Sequence, residues 1–402
     1  MDVGKERERD AVALRSFPTN SCSQARRHLR LWLHVLANED WGLQWAGISF
    51  SLWCMRVLIV KTSSLGDVLH TLPAVTDARA VISGIRFDWV VEEAFAEIPR
   101  WHPAVDRVIP VATRRWRRQA GRIHIGSELV HFRAMLRARA YDCVIDAQGL
   151  LKSAIMTRMA RGWRCGLDRQ SARERFLGFA YQQRFNVPKA MHAIDRVRHL
   201  FSQALDYALP GTEPQFGVDI SMPGKLTACP PYVVFLHGTS WASKRWPDRH
   251  WQALAQRANS DGYRVYLPWG DRAEQERAHF IAANSQDAQV VPRMALVGLA
   301  RLLAGAQAAV AVDTGLVHLA AALGVPSVSL YGASSPVLTG TCGAGQIKLS
   351  THHPCAPCLQ RVCRQTYPQQ TEYGACYVNL TPDRVWQAVQ DNMLKPKMVV
   401  NE

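Results

Sequence analysis

From Met55 onward, short β-branched apolar runs alternate with longer stretches of helical period, and the alternation occurs twice. Strands separated by helical stretches build a parallel sheet with helices on both faces. The first set predicts strands at 55–61, 86–91, 107–111 and 142–146, with helices at 66–81, 126–139 and 150–161. The second predicts strands at 232–237, 263–268, 308–312 and 326–330, with helices at 247–261, 271–284, 296–305 and 314–323. Between them, 208–231 is rich in Pro and Gly and reads as a linker. The expected fold is α/β, with two doubly wound, Rossmann-like domains facing a central cleft. One spans 55–222; the other spans 223–402 and closes with a late cysteine cluster and a C-terminal helix.

Residues 1–54 do not share this pattern. The uncharged stretch Trp41–Cys54 is shorter than the roughly 20 residues of a spanning helix, and the charged chain ahead of it is too long for a signal peptide. The segment reads as an N-terminal extension, with Met55 as the functional start, or else as an interfacial anchor. No apolar run of about 18 residues occurs anywhere, so a transmembrane helix is not expected.

The hydrophobic share of 48% is enough for full cores, and the formal net charge is +15. The extension holds seven Lys/Arg and six Asp/Glu, so the positive charge belongs to the folded part. It points to an anionic partner: nucleic acid, a membrane surface or a phosphorylated substrate. Without a secretory signal, reduced thiols are the default for the ten cysteines, with Cys143 and Cys165 as core residues.

In MRVLIVKTSSLGDVLHTLP (Met55–Pro73), a buried strand runs into a polar turn and then a helix. Asp67 falls where ligands bind in parallel sheets, at the C-terminal end of a strand, and is either a reacting group or a helix cap. Asp313–Thr314–Gly315 ends a second apolar strand and opens a helix through His318. The amides of that turn favour an anion, although an ordinary capped helix has the same pattern. Thr239, Ser240 and Lys244 follow strand 232–237 in a way that suits a diphosphate; Lys244 is otherwise a solvated charge. Glu274, after Leu267–Gly270, is placed to accept from sugar hydroxyls. Arg114, Arg115, Arg117, Arg118 and Arg122 form a dense basic patch, or else a solvated helix face, with Lys152 and Arg173 as further anion contacts. No G-x-G-x-x-G, Walker A or D-x-D motif occurs, so diphosphate neutralisation falls to lysine and backbone. Cys355, Cys358, Cys363 and Cys376 have spacing compatible with a structural zinc site, with free thiols as the rival reading.

These segments resemble the ADP-heptose-dependent inverting glycosyltransferases of lipopolysaccharide biosynthesis. The carriers are MRVLIVKTSSLGDVLHTLPAVTDA, FDWVVEEAFAEIP, RVIPVATRRWRR, DAQGLLKSA, LPWG and AVDTGLVHLAAALGVP. The resemblance covers Met55 to the C-terminus and implies a GT-B architecture without a required cofactor. It implies ADP-L-glycero-β-D-manno-heptose as donor and Kdo2-lipid A as acceptor. The enzyme would be cytoplasmic and peripheral on the inner membrane. Carried over by position, Asp67 resembles the general base, while Thr239, Ser240 and Lys244 resemble the diphosphate group. Glu274 resembles a ribose contact, and Asp313, Thr314, Gly315 and His318 resemble the motif holding heptose and phosphate. Arg114, Arg115, Arg117, Arg118, Lys152 and Arg173 resemble acceptor-facing positions. Ser240, SKRWP and GASSP lean instead toward family members that act on an already heptosylated core, whereas the first-half motifs match those that add the first heptose. A basic nucleic-acid-binding protein is the alternative from another class; no nucleic-acid motif supports it, and nucleic acid is not an expected partner.

Overall fold

The computed structural model describes residues 54–118, 124–220, 230–365 and 375–394. Residues 1–53 of the extension, Arg122 and the expected boundary at 222/223 lie outside the described residues.

Two six-stranded sheets, parallel throughout, carry the fold. The first contains β1 (Arg56–Val60), β2 (Arg86–Glu92), β3 (Val105–Val111), β4 (Ala140–Asp146), β5 (Arg161–Leu167) and β6 (Gln183–Phe185), in the order β3-β2-β1-β4-β5-β6. The second contains β7 (Tyr232–Leu236), β8 (Arg264–Leu267), β9 (Ala288–Val290), β10 (Ala308–Val312), β11 (Ser327–Tyr331) and β12 (Gln346–Ser350), in the order β12-β11-β10-β7-β8-β9. Each sheet winds outward from its first strand and then restarts on that strand's other side. The crossovers diverge between β1 and β4 and between β7 and β10, which opens a crevice beyond those strand ends.

Burial follows the period of two. Val57 and Ile59 are fully buried in one apolar layer, together with Val234, Leu236, Ala309 and Ala311 of the second sheet. Leu58 and Val60 point the other way, into a layer with Ile109 and Val144. Strands buried on both faces must be apolar, as Val57–Val60 of β1 and the whole of AAVAV are.

The expected helix 66–81 is two helices, α1 (Leu65–Leu69) and α2 (Leu72–Val81). Pro73 sits in the first turn of α2, where its missing amide is harmless; a continuous helix would need that amide. The arginine-rich patch forms a helix, α3 (Thr113–Arg118), followed by α4 (His124–Arg137) and α5 (Leu151–Met159). Helix α6 (Ala193–Leu205) was not expected, although Ile194, Val197, Leu200, Phe201 and Ala204 form a buried stripe at helical spacing. The second sheet carries α7 (Asp248–Ser260), α8 (Arg272–Ala282), α9 (Leu296–Ala304), α10 (Gly315–Ala322) and the expected C-terminal helix α11 (Pro382–Leu394). Strands β5, β6, β9 and β12 were also not expected. Three are edge strands of three or five residues, and β5 (RGWRCGL) breaks its apolar run with arginine and glycine.

Glycines bring the two halves together. A Cβ on Gly315 would lie 2.8 Å from Leu65 Cβ, and one on Gly66 would lie 3.1 Å from His318 Cδ2. The start of α10 therefore packs directly on the start of α1.

Candidate active site

Asp67 caps its own helix with one oxygen and leaves the other facing Lys61. Its Oδ2 accepts from the Ser64 amide (2.7 Å) and the Ser64 hydroxyl (2.9 Å), closing the first turn of α1. Its Oδ1 lies 3.7 Å from Lys61 Nζ, and the side chain is 41% exposed. Burial pushes the carboxyl up, but Lys61, the two Ser64 donors and Arg173 outweigh it, and the net shift is downward. Asp67 is a charged carboxylate at neutral pH.

The turn carrying it is clamped from β4. Gln148 Oε1 accepts from the amides of Thr62 (3.0 Å) and Ser63 (3.1 Å). Gln148 is itself placed by Asp146, a buried carboxylate that accepts from Gln148 N, Gly149 N, Ser153 Oγ and Tyr181 OH. The segment DAQGLLKSA is therefore a brace for the Asp67 turn. Lys61 is tied to the same loop through Ala147 O at 2.9 Å.

Asp67 opens onto a cleft of about 430 Å3 whose lining includes Lys61, His70, Gln148, Arg173, Lys189 and Arg196. Four of these residues are cationic side chains, as an anionic ligand requires. Of the expected acceptor-facing residues, only Arg173 lines this cleft. Lys152 reaches its edge through Ser63 Oγ at 3.4 Å. Burial lowers the Lys152 ammonium, and Arg114 and Arg117 lower it further against the pull of Glu92, which places those arginines on the same side. Arg118 is exposed at the end of α3. Arg115 departs from expectation, because its guanidinium pairs with Glu93 (3.2 Å) and Glu128 (2.9 Å). That pairing fixes α3 against α4 and leaves Arg115 less available to a ligand.

Beyond α1 lies the turn of the second sheet. Lys244 Nζ sits 2.6 Å from Asp313 Oδ2, and Thr239 Oγ1 donates to Asp313 O at 3.3 Å. Lys244 also lies 4.3 Å from the centre of the Trp241 ring, a cation–π distance. Thr314 is the N-cap of α10 with its side chain uncommitted, and Ser240 is exposed. Glu274 Oε2 accepts from Gly270 N at 2.8 Å, and its carboxylate lies over Gly238, where a Cβ would meet it at 2.4 Å. Thr239, Lys244, Asp313 and His318 thus form one group, with Glu274 at the adjoining strand end. Gly315 is required by the approach of Leu65.

A histidine pair also joins the two sides. His70 Nε2 lies 3.1 Å from His318 Nδ1, and His318 Nε2 lies 4.0 Å from Asp313 Oδ1. Burial holds both rings neutral: His318 falls to about 4, and His70 falls well below its ordinary value. Neutral imidazoles can share one proton between facing nitrogens, whereas charged ones repel. The sequence reading passed over His70, Lys61, Gln148 and Asp146. The available signal was a charged residue ending an otherwise apolar strand, at Lys61 and at Asp146.

The cysteines lie beneath the same segment. Ser243 donates through its amide to Arg361 O (3.2 Å) and through its hydroxyl to Gln360 O (2.5 Å), and Tyr377 OH donates to Lys244 O (3.0 Å). Burial, and then Cys355, Cys358 and Cys363, push the Cys376 thiol up to about 12, so the four occupy one region. Among the described residues, however, no three His, Cys, Asp or Glu side chains are grouped to hold a metal ion. The expected tetrahedral zinc set is not formed in this arrangement, and no step is derived through a metal.

Comparison with known proteins identifies the family and the fold. The model of glycosyltransferase family 9 (heptosyltransferase) matches residues 129–367. Lipopolysaccharide heptosyltransferase 1 of Pseudomonas aeruginosa is 50% identical over 352 residues, covering 85% of this chain and 99% of the relative. The E. coli heptosyltransferase WaaC, solved with ADP, superposes with a TM-score of 0.74 at 44% identity, covering 84% of this chain and 100% of that one. The same enzyme with ADP-2-deoxy-2-fluoro heptose gives 0.70 at the same identity and coverage. On the family match and the 50% identity over nearly the whole relative, the chain belongs to glycosyltransferase family 9, the heptosyltransferases.

Proposed function

We propose that this protein transfers L-glycero-D-manno-heptose from ADP-heptose to the first Kdo of Kdo2-lipid A, with inversion at the anomeric carbon. The observation that carries the reading is the apposition, through α1 and α10, of a cation-lined cleft holding Asp67 with the Lys244–Asp313 turn. The cleft takes the acceptor, whose carboxylates and phosphates suit Arg173, Lys189 and Arg196. The turn takes ADP-heptose, as the WaaC complexes support for a relative. Family membership leaves the nucleic-acid reading without support, and the type 1 name of the P. aeruginosa relative favours the first heptose over the second.

In the step itself, a Kdo hydroxyl oxygen attacks the anomeric carbon on the face away from the diphosphate. The bond from that carbon to the diphosphate oxygen breaks, its electrons leave with ADP, and the hydroxyl proton passes to Asp67 Oδ1. Lys244 and the amides opening α10 stabilise the departing charge. Lys61 keeps Asp67 ionised and therefore weakly basic, so the proton moves late, after the attacking oxygen has become acidic. The protein would work at the cytoplasmic face of the inner membrane; among the described residues no helix is long and apolar enough to cross it.

Asp67→Asn keeps an acceptor for the Ser64 amide but cannot take a proton. It should lower kcat by about 10²–10⁴-fold while ADP-heptose binding by calorimetry stays unchanged. Turnover within a few-fold of the parent would remove Asp67 from this role.

A further inference from the structure

A second surface lies beside the cleft, and substrate chemistry does not account for it. Phe176 is 82% exposed and caps a short turn of helix at Leu177–Ala180, and Phe179 within that turn is 59% exposed. The packing beneath is already complete: Leu177, Ala180, Tyr181 and Ala154 are buried together without either phenylalanine. Next to this turn, α5 shows a solvent face of Leu151 (50% exposed), Ile155 (48%) and Arg158, spaced i, i+4, i+7 along one side. The two parts are joined by Leu151 N, which donates to Glu174 Oε2 at 2.6 Å. Four large apolar side chains thus stand out of one continuous surface, where single scattered ones would be ordinary.

The rim of this patch is cationic. Arg158 shares the α5 face; Arg164 is held on Ala180 O at 3.1 Å; Arg184 lies against Gly178, where a Cβ would meet Nη1 at 2.9 Å; and Arg175 precedes Phe176 in the exposed segment 173–176. The acidic residue of that segment, Glu174, has its carboxylate engaged by the Leu151 amide. Apolar side chains ringed by arginine match the chemistry of an anionic bilayer surface, where the rings enter the headgroup boundary and the guanidinium groups meet phosphate. A second copy of this chain would bring the same arginines against themselves. The segment also begins at Arg173, which lines the cleft.

We infer that this face, α5 with Phe176–Phe179, is where the protein seats on an anionic lipid bilayer, with the cleft opening at the membrane. This rests on the reading of the cleft as the site of a lipid-linked acceptor, since seating here brings such an acceptor to Asp67 without leaving its membrane.

The test is co-sedimentation of the full chain with vesicles of phosphatidylethanolamine mixed with phosphatidylglycerol, against vesicles of phosphatidylcholine alone. The parent should partition onto the anionic vesicles. Phe176→Ser/Phe179→Ser should lower that partition by about tenfold or more, because the apolar area entering the interface is lost. Arg158→Gln/Arg175→Gln should narrow the difference between anionic and neutral vesicles. Both variants should bind ADP as the parent does, which shows that they are folded. Both should also transfer heptose normally to a de-acylated, water-soluble acceptor. Equal partition of the serine variant and the parent, or no preference for anionic vesicles, would overturn the inference. So would light scattering that shows a parent dimer dissolved by the serine substitutions. Vesicle partition as expected, with no transfer to the soluble acceptor, would support the docking face and reject the acceptor reading alone.

Discussion

A carboxylate at the start of a helix is usually assigned either to capping or to chemistry; in Asp67, Oδ2 caps the turn and Oδ1 is the oxygen proposed to take the proton. Lys244 has a similar double engagement, with Asp313 at 2.6 Å and the Trp241 face at 4.3 Å. Both partners of the ion pair are mostly buried, so Lys244→Ala strands a buried carboxylate and should cost about 3 kcal/mol of stability in a urea titration. It should also weaken ADP binding by about 10–100-fold. Lys244→Ala/Asp313→Ala should recover stability without recovering ADP affinity; recovery of both would reject the diphosphate role. His70 touches His318 across the two halves and is proposed as a positioning residue, holding the ring that faces Asp313. His70→Ala should lower kcat about tenfold with little change in ADP affinity, and His70→Gln, which can still bridge, should recover most of it. No recovery with glutamine would mean that the ring's volume matters rather than its hydrogen bond.

Among the elements, the contact of α1 with α10 decides whether the two sites face each other. Gly315→Ala places a methyl 2.8 Å from Leu65 Cβ and should cost about 1–3 kcal/mol, with a loss in kcat/KM larger than the loss in ADP affinity. In a Leu65→Gly background the same substitution should be far milder; equal cost in both backgrounds would place the strain elsewhere. The strands that frame these turns were legible because β1, β7 and β10 are short, continuous apolar runs. The break between α1 and α2 was legible in principle, since Pro73 marks it. Edge strands β6, β9 and β12 were not, being too short or too polar to stand out from loops. In the site, the motif ends Asp67 and Asp313 announced themselves locally. Lys61 did not, because it follows an apolar strand without a break, and His70 did not, because its partner lies 248 positions away. Arg115 read as a free cation because the carboxylates that occupy it belong to other elements.

Across the whole molecule, burial suppresses histidine protonation at several places. His102 is lowered to about 4 and His237 to about 3, each chiefly by burial and then by a nearby arginine. A histidine with a depressed folded value binds its proton more readily when unfolded, so stability rises with pH through this window and falls as pH drops from about 6.5 toward 4. Between pH 7 and pH 5 each of these two should cost about 2 kcal/mol, read from urea midpoints at constant m-value. A flat pH dependence over that range would contradict their burial in the neutral form. The same two-sheet frame that buries these rings sets the cation-lined cleft of Asp67 against the Lys244–Asp313 turn, and the proposed transfer rests on that placement. The most direct test is transfer from ADP-heptose to Kdo2-lipid A and, in parallel, to its mono-heptosylated form. Heptosylated product from the first acceptor and none from the second is the predicted result. Product from the second acceptor alone, or ADP-heptose left unconsumed by folded protein with either, would contradict it.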